Sequence, residues 1–219
     1  MSFEIFRKHR SMLSGQIDIF ERIVIPSLKD GDKFLEVGCG DGFWLSYIKN
    51  PKIKKFGLDI SKEMVKKASP FAKVVVGNAL HLPFSSKSFD VVFLNSVLEY
   101  CGDYEKPVKE ISRVLKDGGK AIIEAPNPKV KFFGRILRGK TSRFGEYEYP
   151  WEIRKKQFEY PPLKVAKLLK KNKLIPNGVY GCNLMGIPTL FKFNITLFNK
   201  ITKIFPLMGS YIYLNCVKK

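Results

Sequence analysis

Acidic residues stop at Glu159, and the rest of this 219-residue chain holds ten lysines and no Asp or Glu. Ion-pair networks need both signs, so that stretch cannot neutralise itself. Histidine is scarce, with two in the chain, and the four cysteines stand at positions 39, 101, 182 and 216 without a C-x-x-C pair. Such sparse ligands exclude the usual zinc spacings and a disulfide framework, so no metal is expected. The N-terminus lacks the apolar run of a signal peptide, because Phe3-Glu4-Ile5-Phe6-Arg7-Lys8-His9-Arg10 mixes charged and apolar residues. The expected compartment is the cytoplasm.

What is present suffices for a single domain, since 45% hydrophobic residues in a chain of this length supply a full core. The net charge of +19 is unevenly distributed: residues 1–126 carry 20 Lys+Arg against 16 Asp+Glu, and residues 127–219 carry 19 against 4. General lysine enrichment would explain the total but not the missing acids.

Hydrophobic periodicity predicts strands over 33–37, 53–59, 73–76, 89–94, 119–125, about 174–181 and 210–217. Helices are predicted over 11–25, 42–49, 61–69, 104–115 and from Pro161-Pro162 through Lys171. Pro26 stops the first helix, which could cover a pocket, and Ser61 is a natural N-cap for the third. This alternation implies βαβ units: an α/β, doubly wound, mostly parallel seven-stranded sheet.

The strand Phe34-Leu35-Glu36-Val37 runs directly into Gly38-Cys39-Gly40-Asp41-Gly42. Glycines at that point let the backbone turn sharply and approach a ligand closely. A dinucleotide fingerprint would need a small third residue, yet that position is Phe43, and the carboxylate of Glu36 at the mouth would repel phosphate. A ligand carrying an amino group and a sulfonium fits better.

Glu36-Val37-Gly38-Cys39-Gly40-Asp41-Gly42 resembles the first motif of the class I S-adenosylmethionine-dependent methyltransferases. Leu58-Asp59-Ile60, Gly77-Asn78-Ala79-Leu80-His81-Leu82-Pro83-Phe84, Phe89-Asp90-Val91-Val92-Phe93-Leu94-Asn95 and Leu115-Lys116-Asp117-Gly118-Gly119-Lys120-Ala121 resemble the later motifs, in order. Leu98-Glu99-Tyr100 is similar to the Leu-Glu-His of many small-molecule and quinone methyltransferases, with Tyr in place of His. The resemblance implies a Rossmann-like methyltransferase fold with an antiparallel last strand, and S-adenosylmethionine as cofactor.

It also implies a cofactor site of Glu36, Gly38, Cys39, Gly40, Asp59, Ile60, Met64, Asn78, Ala79, Leu80 and Asn95. Asp59 would accept from both ribose hydroxyls, and Glu36 would meet the methionine amino group or orient the glycine loop. Asn78 would pair with the adenine amino group, and Ala79 and Leu80 would offer backbone N–H groups and an apolar surface. Ile60 and Met64 would sandwich the ring or fill the core, and Asn95 lies nearest the transferred methyl. Asn95-Ser96-Val97-Leu98 is not the Asn/Asp-Pro-Pro-Tyr of enzymes that methylate nucleobase amino groups. His9, His81, Glu99, Tyr104, Tyr147 and Tyr149 are bases by chemistry alone, and none is assigned as catalytic.

Within the single domain, 1–219, residues 33–126 read as the cofactor-binding core and 127–209 as a basic, aromatic substrate cap with an amphipathic insertion. On a helical wheel Leu190, Phe191, Phe193, Ile195, Leu197, Phe198, Ile201, Ile204 and Phe205 form one broad face, and Lys192, Lys200 and Lys203 lie opposite. Those lysines argue against a transmembrane helix. Two readings of 189–205 stand: a helix at an anionic membrane surface, giving a peripheral cytoplasmic protein, or a face packed on the cap or a second subunit. The aromatic content of the cap points to a small-molecule or lipid-like acceptor. The alternatives are an RNA acceptor held by the basic C-terminal half and a non-catalytic cofactor-binding protein of the same fold. The oligomeric state is not legible.

Overall fold

The computed structural model describes residues 10–127, 162–184 and 209–219. The segments 128–161 and 185–208, holding nearly all of the expected cap and the amphipathic face over 189–205, lie outside the described residues. So do residues 1–9.

Seven strands form one sheet in the order β3-β2-β1-β4-β5-β7-β6. They are β1 (Lys33–Val37), β2 (Lys54–Asp59), β3 (Lys73–Val76), β4 (Phe89–Leu94), β5 (Leu115–Pro126), β6 (Leu174–Leu184) and β7 (Gly209–Lys218). The first five pair in parallel, and β7 is antiparallel to both β5 and β6, as the expected class requires. Strand order reverses between β1 and β4, where Val37 stands opposite Leu94. Ligands of open α/β sheets bind beyond the strand ends at such a reversal.

Among the described residues five α-helices flank the sheet: α1 (Arg10–Ile19), α2 (Phe43–Tyr47), α3 (Lys62–Ala68), α4 (Glu105–Val114) and α5 (Pro162–Lys171). Successive strand residues point to opposite faces, so both faces are apolar and each has its own core. Leu35, Val92, Leu94, Ile123 and Leu214 pack with Val108, Ile111 and Val114 of α4 and with Val165 and Leu169 of α5. Phe34, Phe93, Ile122 and Tyr213 pack on the other side with Phe20, Ile23, Trp44 and Leu45. Phe20 stacks on Trp44 with ring centroids 4.6 Å apart.

Three element boundaries differ from expectation for physical reasons. The helix predicted over 11–25 ends as α1 at Ile19, widens into a π-turn over Phe20–Val24 and tightens into a 3-10 turn over Ile25–Ser27. Pro26 has no N–H to continue an α-helical ladder, and the Ile25 amide closes back on the Phe20 carbonyl instead. The helix predicted over 42–49 keeps only Phe43–Tyr47, because Ile48 turns extended and enters the core. The strand predicted over 119–125 starts at Leu115, which pairs with Phe89. The pairing resumes only at Val91 with Lys120, so Lys116-Asp117-Gly118-Gly119 bulges out within β5. Ser61 caps α3 as expected, accepting from the Met64 amide at 3.4 Å.

Candidate cofactor site

The loop after β1 is tied to the end of β2 by its own backbone. Gly38 N and Cys39 N both donate to the Leu58 carbonyl, at 2.7 and 2.9 Å. Gly38 adopts φ +73°, and a Cβ there would lie 2.3 Å from Val97 Cγ2, so the loop and the β4 turn approach as only glycine allows. Gly42, at φ +83°, brings α2 against α3: a Cβ there would meet Ala68 and Phe71 at 3.0 Å. The close packing thus falls at Gly42, and half-buried Phe43 turns its ring onto Trp44.

Asp59 is occupied by main chain. Its Oδ2 accepts from Gly40 N at 2.9 Å and its Oδ1 from Ser61 N at 2.9 Å. Each carboxylate oxygen keeps a further lone pair, so the same side chain that pins the glycine loop can still accept from a ligand hydroxyl.

Glu36 is 2% exposed, and among the described residues its Oε2 has no hydrogen-bond partner. Burial, and then the nearby charges of Asp59 and Asp41, push its carboxyl well above the ordinary glutamate range. Three carboxylates therefore converge beside a loop of close-approaching backbone, an arrangement that favours a cation and disfavours phosphate. The Cys39 thiol, in contrast, packs into the core, where a Cβ on Gly57 would touch its sulfur at 2.9 Å. Burial pushes that thiol up, so Cys39 offers a ligand only its backbone.

The loop after β3 differs from expectation in one respect. Leu80 N does not face a ligand, because it donates to Asn78 Oδ1 at 2.9 Å in an Asx turn. His81 N closes the same turn on the Asn78 carbonyl at 2.9 Å. One lone pair of Asn78 Oδ1 is thereby committed and one remains. Ala79 packs against the core, and Leu80 is half buried. Ile60 is 52% exposed, an open apolar surface, whereas Met64 is buried, which fits the packing role.

Asn95 stands beyond β4 in a network that sequence reasoning missed. Tyr213 Oη on β7 donates to Asn95 Oδ1 at 2.6 Å, and Asn95 Nδ2 donates to Ser96 Oγ at 3.4 Å. Ser96, at φ +53°, donates its N–H and Oγ to Glu124 Oε2 at 2.7 and 2.8 Å. The legible signal was Glu124 itself, a lone acid in the apolar run Ala121-Ile122-Ile123-Glu124-Ala125. Of the bases named above, His81 is exposed, Glu99 is buried in a 3-10 turn and Tyr104 packs against the core. His9, Tyr147 and Tyr149 lie outside the described residues.

Residues 35–123 match the methyltransferase domain family. A demethylmenaquinone methyltransferase of Staphylococcus carnosus is 31% identical over 70% of this chain and 73% of its own length. A tRNA (carboxymethyluridine(34)-5-O)-methyltransferase of Schizosaccharomyces pombe is 32% identical over 66% of this chain and 62% of its own length. Among solved structures, an S-adenosylmethionine-dependent methyltransferase of Thermotoga maritima superposes with a TM-score of 0.72 at 20% identity, covering 99% of this chain and 94% of that one.

Proposed function

Since the chain belongs to the class I S-adenosylmethionine-dependent methyltransferases, we propose that it methylates a small-molecule or lipid-like acceptor held by the segment 127–209. Bound S-adenosylmethionine supplies an electrophilic methyl group on a sulfonium, and its transfer is an in-line displacement. The chain's work is positioning. The observation that carries the assignment of the site is the buried, incompletely bonded carboxylate of Glu36 beside the Gly38 turn. A cationic ligand would relieve its repulsion from Asp59 and Asp41. Asp59 would accept the ribose hydroxyls while holding Gly40, Ile60 would cover one face of the adenine, and Asn78 Oδ1 would take the adenine amino group.

The acceptor class rests on the aromatic side chains of the cap and on the likeness to a quinone methyltransferase. On this reading the protein works in the cytoplasm or peripherally at the membrane, with 189–205 as the contact. A second reading, an RNA acceptor, is supported by the excess of 19 Lys+Arg over 4 Asp+Glu in residues 127–219 and by the likeness to a tRNA methyltransferase.

Two measurements test these readings. Calorimetric titration with S-adenosylmethionine should show binding that Asp59→Ala weakens by at least about tenfold, the loss of charge-assisted bonds. Unchanged binding would remove Asp59 from the site. With methyl-labelled cofactor and whole cell extract, label should enter the organic-extractable fraction and stay out of RNA. Label confined to RNA, with binding that falls steeply as salt rises, would establish the second reading.

A further inference from the structure

The loop over residues 77–86 must hold Asn78, Ala79 and Leu80 in place, yet much of its anchoring comes from α4. Glu110 Oε2 accepts from Leu82 N at 2.7 Å, and Arg113 Nη2 donates to the Leu82 carbonyl at 2.9 Å. Arg113 Nη1 reaches the Phe84 carbonyl at 2.8 Å and Ser86 Oγ at 3.5 Å. The guanidinium closes on Glu110 itself through Nε to Oε1 at 2.8 Å and Nη2 to Oε2 at 2.7 Å. A guanidinium has five N–H donors, and these five contacts employ all of them.

Positions three apart on a helix share a face, so the pair presents one rigid fork to the loop. Leu82 is gripped at both its N–H and its C=O while its side chain is buried in the core. An ordinary surface ion pair contributes little. This one is partly buried, and three of its five arginine contacts go to loop atoms. Four residues upstream of Leu82 stands Asn78, whose Oδ1 faces the base in the reading above. The Asx turn and the 81-to-78 closure tie residues 78–81 into one turn, and Leu82 is the next residue along the chain, so a shift at Leu82 is passed on to Asn78.

We propose that Glu110 and Arg113 are positioning residues that set the nucleobase specificity of the cofactor site from outside it, by fixing the loop that presents Asn78 Oδ1 to the adenine amino group. Neither residue touches the cofactor. The proposal rests on the reading of the 77–84 segment as the adenine loop.

The test compares S-adenosylhomocysteine with S-inosylhomocysteine, which carries an oxo group in place of the adenine amino group, by calorimetric titration of the full chain. The wild type should prefer the adenosyl ligand. In Arg113→Met and in Glu110→Gln that preference should narrow by about tenfold, the worth of one well-placed hydrogen bond. Exchange of the Leu82 amide hydrogen should accelerate in the same variants. If Arg113→Met does not fold, Glu110→Gln, which is nearly isosteric but loses the charged pairing with Arg113 and leaves only a weaker, neutral acceptor for Leu82 N, decides the matter. A merely structural pair would lower both affinities together and leave the preference at its wild-type value, which overturns the proposal. A wild type that binds both ligands equally overturns it as well. A wild type that binds neither removes the cofactor reading on which it stands.

Discussion

Glu36 pits stability against binding at one position. Its carboxyl is buried against Asp59 and Asp41, and its raised pKa means that folding favours the protonated form. A group of that kind contributes its stability below the unfolded value and loses it as pH rises through the folded one. Glu36→Gln should therefore raise the thermal midpoint of the cofactor-free protein at neutral and alkaline pH, and scanning calorimetry checks it. The same change should weaken S-adenosylmethionine by about tenfold or more, because a charge-assisted partner of its ammonium is lost. In the wild type, affinity should rise with pH as Glu36 gives up its proton, and in the variant that dependence should flatten. Glu36 was legible as a site residue from its place before the glycines. Its raised pKa was not, because that comes first from burial in the folded sheet and then from the charge of Asp59, twenty-three positions away.

At the scale of elements, the glycine turn is what the strand and helix around it require. Gly38 holds a left-handed backbone in contact with Val97, so Gly38→Ala should combine strain of about 1–3 kcal/mol with a clash that the β4 turn must absorb. The expected outcome is a lowered denaturation midpoint and loss of S-adenosylmethionine binding. A variant binding normally would show that the turn can relax. The spacing of the glycines announced this turn, whereas the ends of neighbouring elements did not announce themselves. The π-turn over Phe20–Val24 follows from Pro26 and from the pull of Phe20 toward Trp44 and Phe93. The early start of β5 follows from Leu115 finding Phe89 across the sheet. Periodicity within a window cannot see either partner.

For the molecule as a whole, carboxylates of opposite character shape its response to pH. Hydrogen bonding to Arg113 holds Glu110 below the ordinary glutamate value of 4.5. Burial pushes Asp90 up, but the hydrogen bonds from Lys116 Nζ and from the Lys33 amide outweigh it and hold Asp90 low. Depressed groups contribute stability above their unfolded values, lost as pH falls through the folded ones. Glu36 acts in the opposite sense. The cofactor-free protein should be most stable at mildly acidic pH, and saturating S-adenosylmethionine should move that maximum upward. Thermal denaturation across pH with and without cofactor reads both, and a maximum that stays in place would show that Glu36 does not titrate with binding.

The order of motifs from Glu36 to Ala121 determined the fold, the family and the cofactor without help from the structure. Each of those motifs is contiguous, and a strand, a glycine turn and the next helix interact within a few residues of one another. The tertiary structure alone decided which polar atoms are committed. Tyr213 reaches Asn95 across 118 positions, Glu124 holds Ser96 across 28, and Arg113 grips Leu82 across 31. Those pairings depend on strand order and on the face each residue occupies. They belong to the folded sheet, because the hydrogen-bonding capacity of a side chain is written in its type but its partner is chosen by packing.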